Sequence, residues 1–464
     1  LRSFAARAFH VDPTGVAMSI HTCQIAALPL LLLAQAGSTP SDQTTDPDAL
    51  TLRLGALAGS LLEADACRGL VVLADVGGDM VFEHGWGTAA ETGPGELFRA
   101  GSLVEQMIVV RTLQLAEAGR LELDDPVEKH LPEPRLGGES EVVRVRDLLA
   151  HTSGLQDYVE LDFDYEPGEE LALLTRVTAL PLETAPGSCC SYSRTNLLAL
   201  GLLVERLEET TLPMSVAAHI FEPVGALSMR SEGVVDSPGD RALQEVGRSV
   251  LRSNPGPQPF GAEFLVTDAA DLLRWQRGLV DGTLLSEVEL EELTRTPEVS
   301  NVETCASAFQ ATTLGEYTGV THGGGMEGDR VHIAFYPSLD FTVVVLAHGS
   351  RLDAASVARA VTRAVFDIPA PEVADLPLSE AEIERYVGTY QVGCTTLVIA
   401  EQDGQLVLQS EPHGRVALLH QGGHVFLGAD EVDVRLTFLV GDSERASGFE
   451  LEEFGSSSRA TRFE

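Results

Sequence analysis

Leu97-Phe98-Arg99-Ala100-Gly101-Ser102-Leu103-Val104-Glu105-Gln106 is the stretch that decides how this chain is read. It runs into a helical pattern, with apolar residues at Leu103, Met107, Val110, Leu113 and Leu115 until Gly119 stops the run. At a helix start, residues i and i+3 share a face, so Ser102 and Glu105 are predicted side by side. That spacing has two meanings. Ser-x-x-Glu is a capping box, in which both side chains satisfy free backbone N–H groups. It also sets a candidate nucleophile beside an acid. A serine attacks a carbonyl only if one group takes its proton and another stabilises the oxyanion. No amine is at hand, because Lys129 is the only lysine in the chain.

Other segments follow in order. Pro186-Gly187-Ser188-Cys189-Cys190-Ser191-Tyr192-Ser193-Arg194-Thr195-Asn196 puts a phenol and a guanidinium on one loop. Thr321-His322-Gly323-Gly324-Gly325, about 220 residues after Ser102, precedes two strands predicted at 332–336 and 341–346. The second strand is almost wholly apolar and is expected inside a sheet. Between these lie Asp147-Leu148-Leu149-Ala150-His151-Thr152-Ser153-Gly154-Leu155 and Phe221-Glu222-Pro223-Val224-Gly225.

In this order and spacing the segments resemble the serine β-lactamases of the class C type, with the related penicillin-binding carboxypeptidases and esterases. The resemblance runs from about Gly69 to Leu346. The family patterns are Ser-x-x-Lys, Tyr-x-Asn, and Lys-Thr-Gly or His-x-Gly. Ser102, Tyr192, His322 and Gly324 match; Glu105 stands where lysine is expected, and Arg194 where asparagine is expected. The resemblance implies that Ser102 is the nucleophile and that Tyr192 helps to shuttle its proton. It implies an oxyanion hole from the N–H groups of Ser102 and Gly325, with His322 orienting a substrate carboxylate or carbonyl. His151 and Ser153 are read as structural. One site position has become acidic and another basic, so a swapped ion pair between Glu105 and Arg194 is expected across the centre. Such a pair would hold Glu105 ionised and make it a poor base.

Strands predicted at 69–74 and 80–84 around Gly77-Gly78, with helices at 50–64, 102–118, 146–150, 196–208 and 269–278, complete an α/β sandwich with a helical insert over 50–368. A linker at 369–378 begins with Pro369-Ala370-Pro371, and a helix is predicted at 379–386. Five alternating runs follow, at 396–400, 405–409, 416–420, 424–427 and 434–440, with tight turns at Asp403-Gly404 and Gly422-Gly423. They predict a small all-β barrel over 379–464. Tyr386-Val387-Gly388-Thr389-Tyr390 resembles the opening of the lipocalin-like barrel often appended to this family.

Residues 1–36 read as a leader starting at Met18, with an apolar run at 25–33 and a small-x-small cleavage site at Ala34-Gln35-Ala36. The run is too short to span a bilayer. Residues 37–49 read as a linker, and the chain is expected to be exported to a periplasmic or extracellular location. Of the six cysteines, Cys23 leaves with the leader. Cys67, Cys189, Cys190, Cys305 and Cys394 remain without metal-type spacing, their pairing open, and the adjacent Cys189 and Cys190 are expected as two small packed side chains.

A net charge of −39 excludes nucleic acid and anionic membrane as general partners. With no metal motif, phosphate loop or Gly-x-Ser-x-Gly elbow, neither metal nor cofactor is expected. The expected partner is a small-molecule or peptide-like ligand. Three functions fit. The first is a catalytically impaired member that binds a peptide-like or acylated ligand. The second is an active serine hydrolase (esterase, D-amino-acid peptidase or weak β-lactamase) working through an acyl-enzyme on Ser102 with Tyr192 or Glu105 as base. The third is a binding module centred on the barrel. The first is preferred, because two polar positions have changed in a compensating way. Loss of a base commonly costs about 10²–10⁴-fold in rate, which leaves room for the second.

Overall fold

The computed structural model describes residues 47–463 apart from 65, 91–92, 138–140, 162, 164–167, 232–264, 294–307, 326–327, 350–351, 371, 411–413, 430–433, 442–444 and 454–455. The leader and cleavage site predicted at 1–36, and most of the linker after them, lie outside the described residues.

Helix Pro47–Glu63 leads into the hairpin of β1 (Gly69–Val76) and β2 (Asp79–Gly87), turned at Gly77-Gly78 as predicted. Three short strands, β3 (Phe98–Arg99), β4 (Arg230–Ser231) and β5 (Leu265–Thr267), pair in the order β3-β5-β4. β6 (Gln310–Leu314), β7 (Tyr317–Gly324), β8 (Asp329–Tyr336) and β9 (Phe341–His348) join the hairpin in an antiparallel sheet ordered β2-β1-β9-β8-β7-β6. Every residue of β1 and β9 is buried. Alternate side chains point to opposite faces. Leu70, Val72, Val343 and Val345 pack with the helices Pro47–Glu63 and Ala354–Val365, while Val71, Leu73, Val344 and Leu346 join the core of the helical region. Both faces are therefore covered, which is why these strands read as unbroken apolar runs.

The helix that follows Ser102, Val104–Glu117, is buried at every position from Val104 to Leu113. Its polar side chains are satisfied inside the core. Gln106 donates to the Ala308 carbonyl at 3.0 Å and accepts from the Trp275 indole N–H at 3.2 Å. Ser102 lies in a 3₁₀ turn, Gly101–Leu103, and no side chain caps the helix. The capping-box reading of Ser-x-x-Glu is thus not what forms; Ser102 and Glu105 are free for one another.

The C-terminal region is a closed antiparallel barrel of β10 (Gly388–Val392), β11 (Thr395–Gln402), β12 (Gln405–Ser410), β13 (Gly414–Gly422), β14 (Val425–Gly428), β15 (Arg435–Val440), β16 (Ala446–Glu453) and β17 (Ser456–Arg462). Pairing of Tyr390 with Arg462 and of Gln391 with Thr461 closes it. The centre is filled by Tyr390, Phe426, Phe438 and Phe449, and Tyr386 from helix Glu380–Tyr386 packs onto Phe426 and Phe438. Ser379 caps that helix by a capping box with Glu382. Among the described residues no helix is long and apolar enough to cross a membrane.

One expectation is corrected. Cys189 and Cys190 are not two small packed side chains: both are disulfide-bonded, Cys189 to Cys394 in the turn between β10 and β11, across 205 residues of sequence. The bridge closes a long loop of the unfolded chain, and such loops lose the most conformational freedom when cross-linked. Replacing Cys394 by serine is expected to lower stability to urea by roughly 2–5 kcal/mol, with no change in strand content by circular dichroism. An unchanged urea midpoint would show that the bridge does not constrain the chain.

Candidate active site

Four segments converge. The 3₁₀ turn supplies Ser102, the first turn of helix Val104–Glu117 supplies Glu105, the loop before helix Arg194–Glu208 supplies Tyr192, and β7 supplies His322. Glu105 is 3% exposed. Its carboxylate accepts a hydrogen bond from the Tyr192 hydroxyl at 2.5 Å, and the Ser102 hydroxyl is near enough to favour its ionised form. His322 lies with Nε2 4.0 Å from Glu105 Oε2.

Backbone contact joins the two segments assigned to the oxyanion hole. Gly101 has φ of 52°, and a Cβ there would run into the backbone of Gly325. A Cβ on Gly324 would strike the carbonyl of Ala100 and the amide of Leu103. Glycine is required at both places by this close approach. The neighbour that these small residues admit is the nucleophile turn.

Tyr192 is held from behind. The His151 ring packs against it at 4.9 Å between centroids, and His151 Nδ1 accepts the Ser193 N–H at 3.2 Å. Asn196 Nδ2 is 3.1 Å from the same nitrogen, and Ser153 donates to Asn196 Oδ1 at 2.5 Å. His151 and Ser153 are structural in this sense: they lock the loop from which Tyr192 projects. Burial lowers the His151 pKa to about 4, so it serves as a neutral acceptor.

The expected pair of Glu105 with Arg194 does not form. Arg194 gives its guanidinium to Asp157, Nη1 to Oδ2 at 2.7 Å, and lies over the Tyr192 ring at 5.3 Å. Asp157 is buried and also accepts the Val159 N–H at 3.2 Å. No spacing in the sequence marks Asp157, 37 residues before its partner. Arg194 acts on Glu105 only through its field.

The electrostatic result reverses the expectation for Glu105. Burial raises its pKa to about 7, outweighing the hydrogen bond from Tyr192, the field of Arg194 and the hydrogen bond from Ser102, while Asp157 adds a smaller upward push. A carboxylate in this range can hold or release a proton near neutrality, as a general base must. Burial, with the charge of Glu105 and their hydrogen bond, drives the Tyr192 phenol far above its ordinary value. It remains protonated and donates. Burial lowers the His322 pKa to about 4, so that ring is neutral at neutral pH.

The chain matches the β-lactamase family over residues 55–366. It belongs to that family. Esterase EstB of Burkholderia gladioli is 32% identical over 235 residues, 45% of this chain and 58% of the esterase. The match therefore spans little more than half of that relative. A penicillin-binding protein of Bacillus subtilis (strain 168) is 25% identical over 446 residues, 84% of this chain and 94% of its own. The octameric penicillin-binding protein homologue from Pyrococcus abyssi superimposes with a TM-score of 0.57 at 18% identity, covering 89% of this chain and all of that one, a likeness of fold alone. The resemblance read from the five sequence segments is thereby shown, together with the sandwich and barrel.

Glu105 also leaves a mark on stability. In the unfolded chain it ionises at an ordinary value near 4.5, whereas the folded chain holds the proton to about 7. The folded form binds more protons in that window, so its contribution to stability is full below 4.5 and is lost as pH rises through about 7. Glu105→Gln removes the ionisation. Relative to wild type it is expected to gain on the order of 3 kcal/mol between acid and mildly alkaline pH, read by urea denaturation across the range. Parallel pH curves for the two proteins would mean that Glu105 titrates normally.

Proposed function

We propose that this chain is a serine ester hydrolase in which Glu105 replaces the family's lysine as the base that activates Ser102. The observation that carries this reading is the Glu105 carboxylate, buried one helical turn from Ser102 with the Tyr192 hydroxyl as its donor, where burial pushes its pKa up to about 7. Of the two bases considered from the sequence, Tyr192 is the weaker candidate, since its phenol is held protonated against Glu105. The reading preferred from sequence, an impaired member, drew on the missing lysine and on an expected Glu105–Arg194 pair, and Arg194 pairs with Asp157 instead.

The steps follow. Ser102 Oγ attacks the ester carbonyl as its proton passes to Glu105. The N–H groups of Ser102 and Gly325 receive the negative charge on the carbonyl oxygen. The tetrahedral adduct then expels the alcohol oxygen, which takes a proton from Glu105, directly or by relay through the Tyr192 hydroxyl. Water, deprotonated by the regenerated carboxylate, attacks the acyl-enzyme; the second adduct expels Ser102 Oγ, which takes that proton back from Glu105, and the acid leaves.

The charges favour neutral acyl groups. His322 stands where the family has lysine or histidine, and as a neutral ring it offers a hydrogen bond without a positive charge. Arg194 is already paired with Asp157, and ionised Glu105 repels a second carboxylate. A penicillin, which carries a carboxylate beside its reactive carbonyl, fits this site worse than an uncharged ester. The relative named an esterase is consistent with that preference. The reading places the mature chain outside the cytoplasm, on the cleavage signal at Ala34-Gln35-Ala36 and on the Cys189–Cys394 bridge, since disulfides persist in oxidising compartments.

A second reading, a ligand-binding member without turnover, draws on the Tyr192–Glu105 hydrogen bond, which competes with Ser102 for the same carboxylate. Intact mass separates the two after exposure to a fluorophosphonate, a penicillin and an activated ester, with Ser102→Ala as control. A Ser102 adduct with the phosphonate and the ester, and much less with penicillin, is the expected result. No adduct on a folded protein leaves the binding reading. For hydrolysis, kcat/KM is expected to rise with pH and level off above about 7, where Glu105 is ionised. Glu105→Gln is expected to lose about 10²–10⁴-fold in rate and the pH limb with it. An unchanged limb in that variant would assign the base elsewhere.

A further inference from the structure

Behind the oxyanion segments lies a second cluster of ionisable side chains, which the proposed proton transfers do not use. His348, the last residue of β9, has Nδ1 2.7 Å from Asp329 Oδ1 and Nε2 3.3 Å from Glu96 Oε1. The ring of Phe98 stacks on the imidazole at 4.2 Å between centroids. Glu96, Asp329 and His348 are 5%, 5% and 6% exposed. Two carboxylates removed from water in one place are costly unless paired. His348 is the group that stands between them, and the β8–β9 register sets Asp329 directly opposite it.

Asp329 touches the two segments that carry the oxyanion hole. Its Oδ2 accepts the N–H of Arg99 at 3.0 Å, three residues before Ser102. Its carbonyl backs onto Gly325, where an added Cβ would collide with it. The carboxylate therefore pins the strand that leads to the Ser102 amide, while the same residue's carbonyl fills the space beside Gly325. Misplacing such donors by about 1 Å can cost 10²-fold in rate.

We propose that Asp329, oriented by His348 and Glu96, is a positioning residue that sets the separation of the Ser102 and Gly325 amides. The inference rests on the ester-hydrolase reading. Its readouts separate positioning from general support of the fold. The full-length mature chain is compared with Asp329→Ala, Asp329→Asn and Glu96→Gln in three measurements: kcat and KM on p-nitrophenyl acetate, the rate of Ser102 labelling by a fluorophosphonate, and Tm.

Asp329→Ala is expected to lower kcat and the labelling rate about 10²-fold with KM within about twofold. Asp329→Asn, which keeps a carbonyl oxygen for the Arg99 N–H, is expected to recover most of the loss. Glu96→Gln, the variant to rely on if Asp329→Ala does not fold, is expected to lose about tenfold in kcat, again with KM nearly unchanged. Labelling of all variants at the wild-type rate overturns the inference and leaves the hydrolase reading standing. So does a loss that tracks Tm with no rescue by asparagine. A wild-type chain that neither labels nor turns over the ester overturns both.

Discussion

The end of β7 meets the turn before the central helix backbone to backbone, and the site is built on that contact. Gly324 sits against Ala100 and Leu103, and Gly101 against Gly325, with no room for a side chain on either surface. Two main chains this close fix one another to within a fraction of an ångström, because interiors are close-packed and do not deform smoothly. The separation of the Ser102 and Gly325 amides therefore does not depend on the side chains at 105 and 194. That independence lets the frame of a β-lactamase-family site persist while lysine gives way to Glu105 and asparagine to Arg194.

The charges are arranged in two tiers. Arg194 is spent on Asp157 at the rim, and Glu105 is left below with hydroxyl partners. Had the guanidinium reached Glu105, the carboxylate would have been held ionised and well below 7. With hydroxyl groups as its hydrogen-bond donors, the cost of losing water dominates. The same burial holds the nearby rings of His151 and His322 neutral. Glu105 is thus the group in the Ser102 centre whose charge changes near neutral pH, and a negative charge there appears only when it is ready to accept a proton.

Much of this was legible in the sequence, for identifiable reasons. β1 and β9 carry apolar residues at every position because both faces are covered, and the turns at Gly77-Gly78 and Asp403-Gly404 need positive φ. The five segments that carry the resemblance lie in one family domain, matched over residues 55–366. Strand β17 escaped notice because its inward positions include small residues, Ser458 and Ala460, which leave no apolar alternation. The partner of Arg194 escaped for another reason. Helical spacing predicts which residues share a face, not which of two nearby carboxylates a long side chain will choose. The choice depends on where residue 157 is carried by a loop, and no local pattern encodes that. The Cys189–Cys394 bridge joins residues whose nearness exists only once both the sandwich and the barrel are formed.

That bridge ties the barrel to the chemistry. Cys189 precedes Tyr192 by three residues, so the chain between them spans at most about 10 Å. Cys394 lies in the β10–β11 turn, and the bridge brings that turn to the edge of the loop that His151, Ser153 and Asn196 lock in place. The barrel's centre is packed with aromatic rings, so whatever it contributes at this site comes from its outer turns. Tyr192, 45% exposed along its outer flank while its hydroxyl ends on Glu105, is the residue through which a displacement of that turn would be felt by the buried carboxylate.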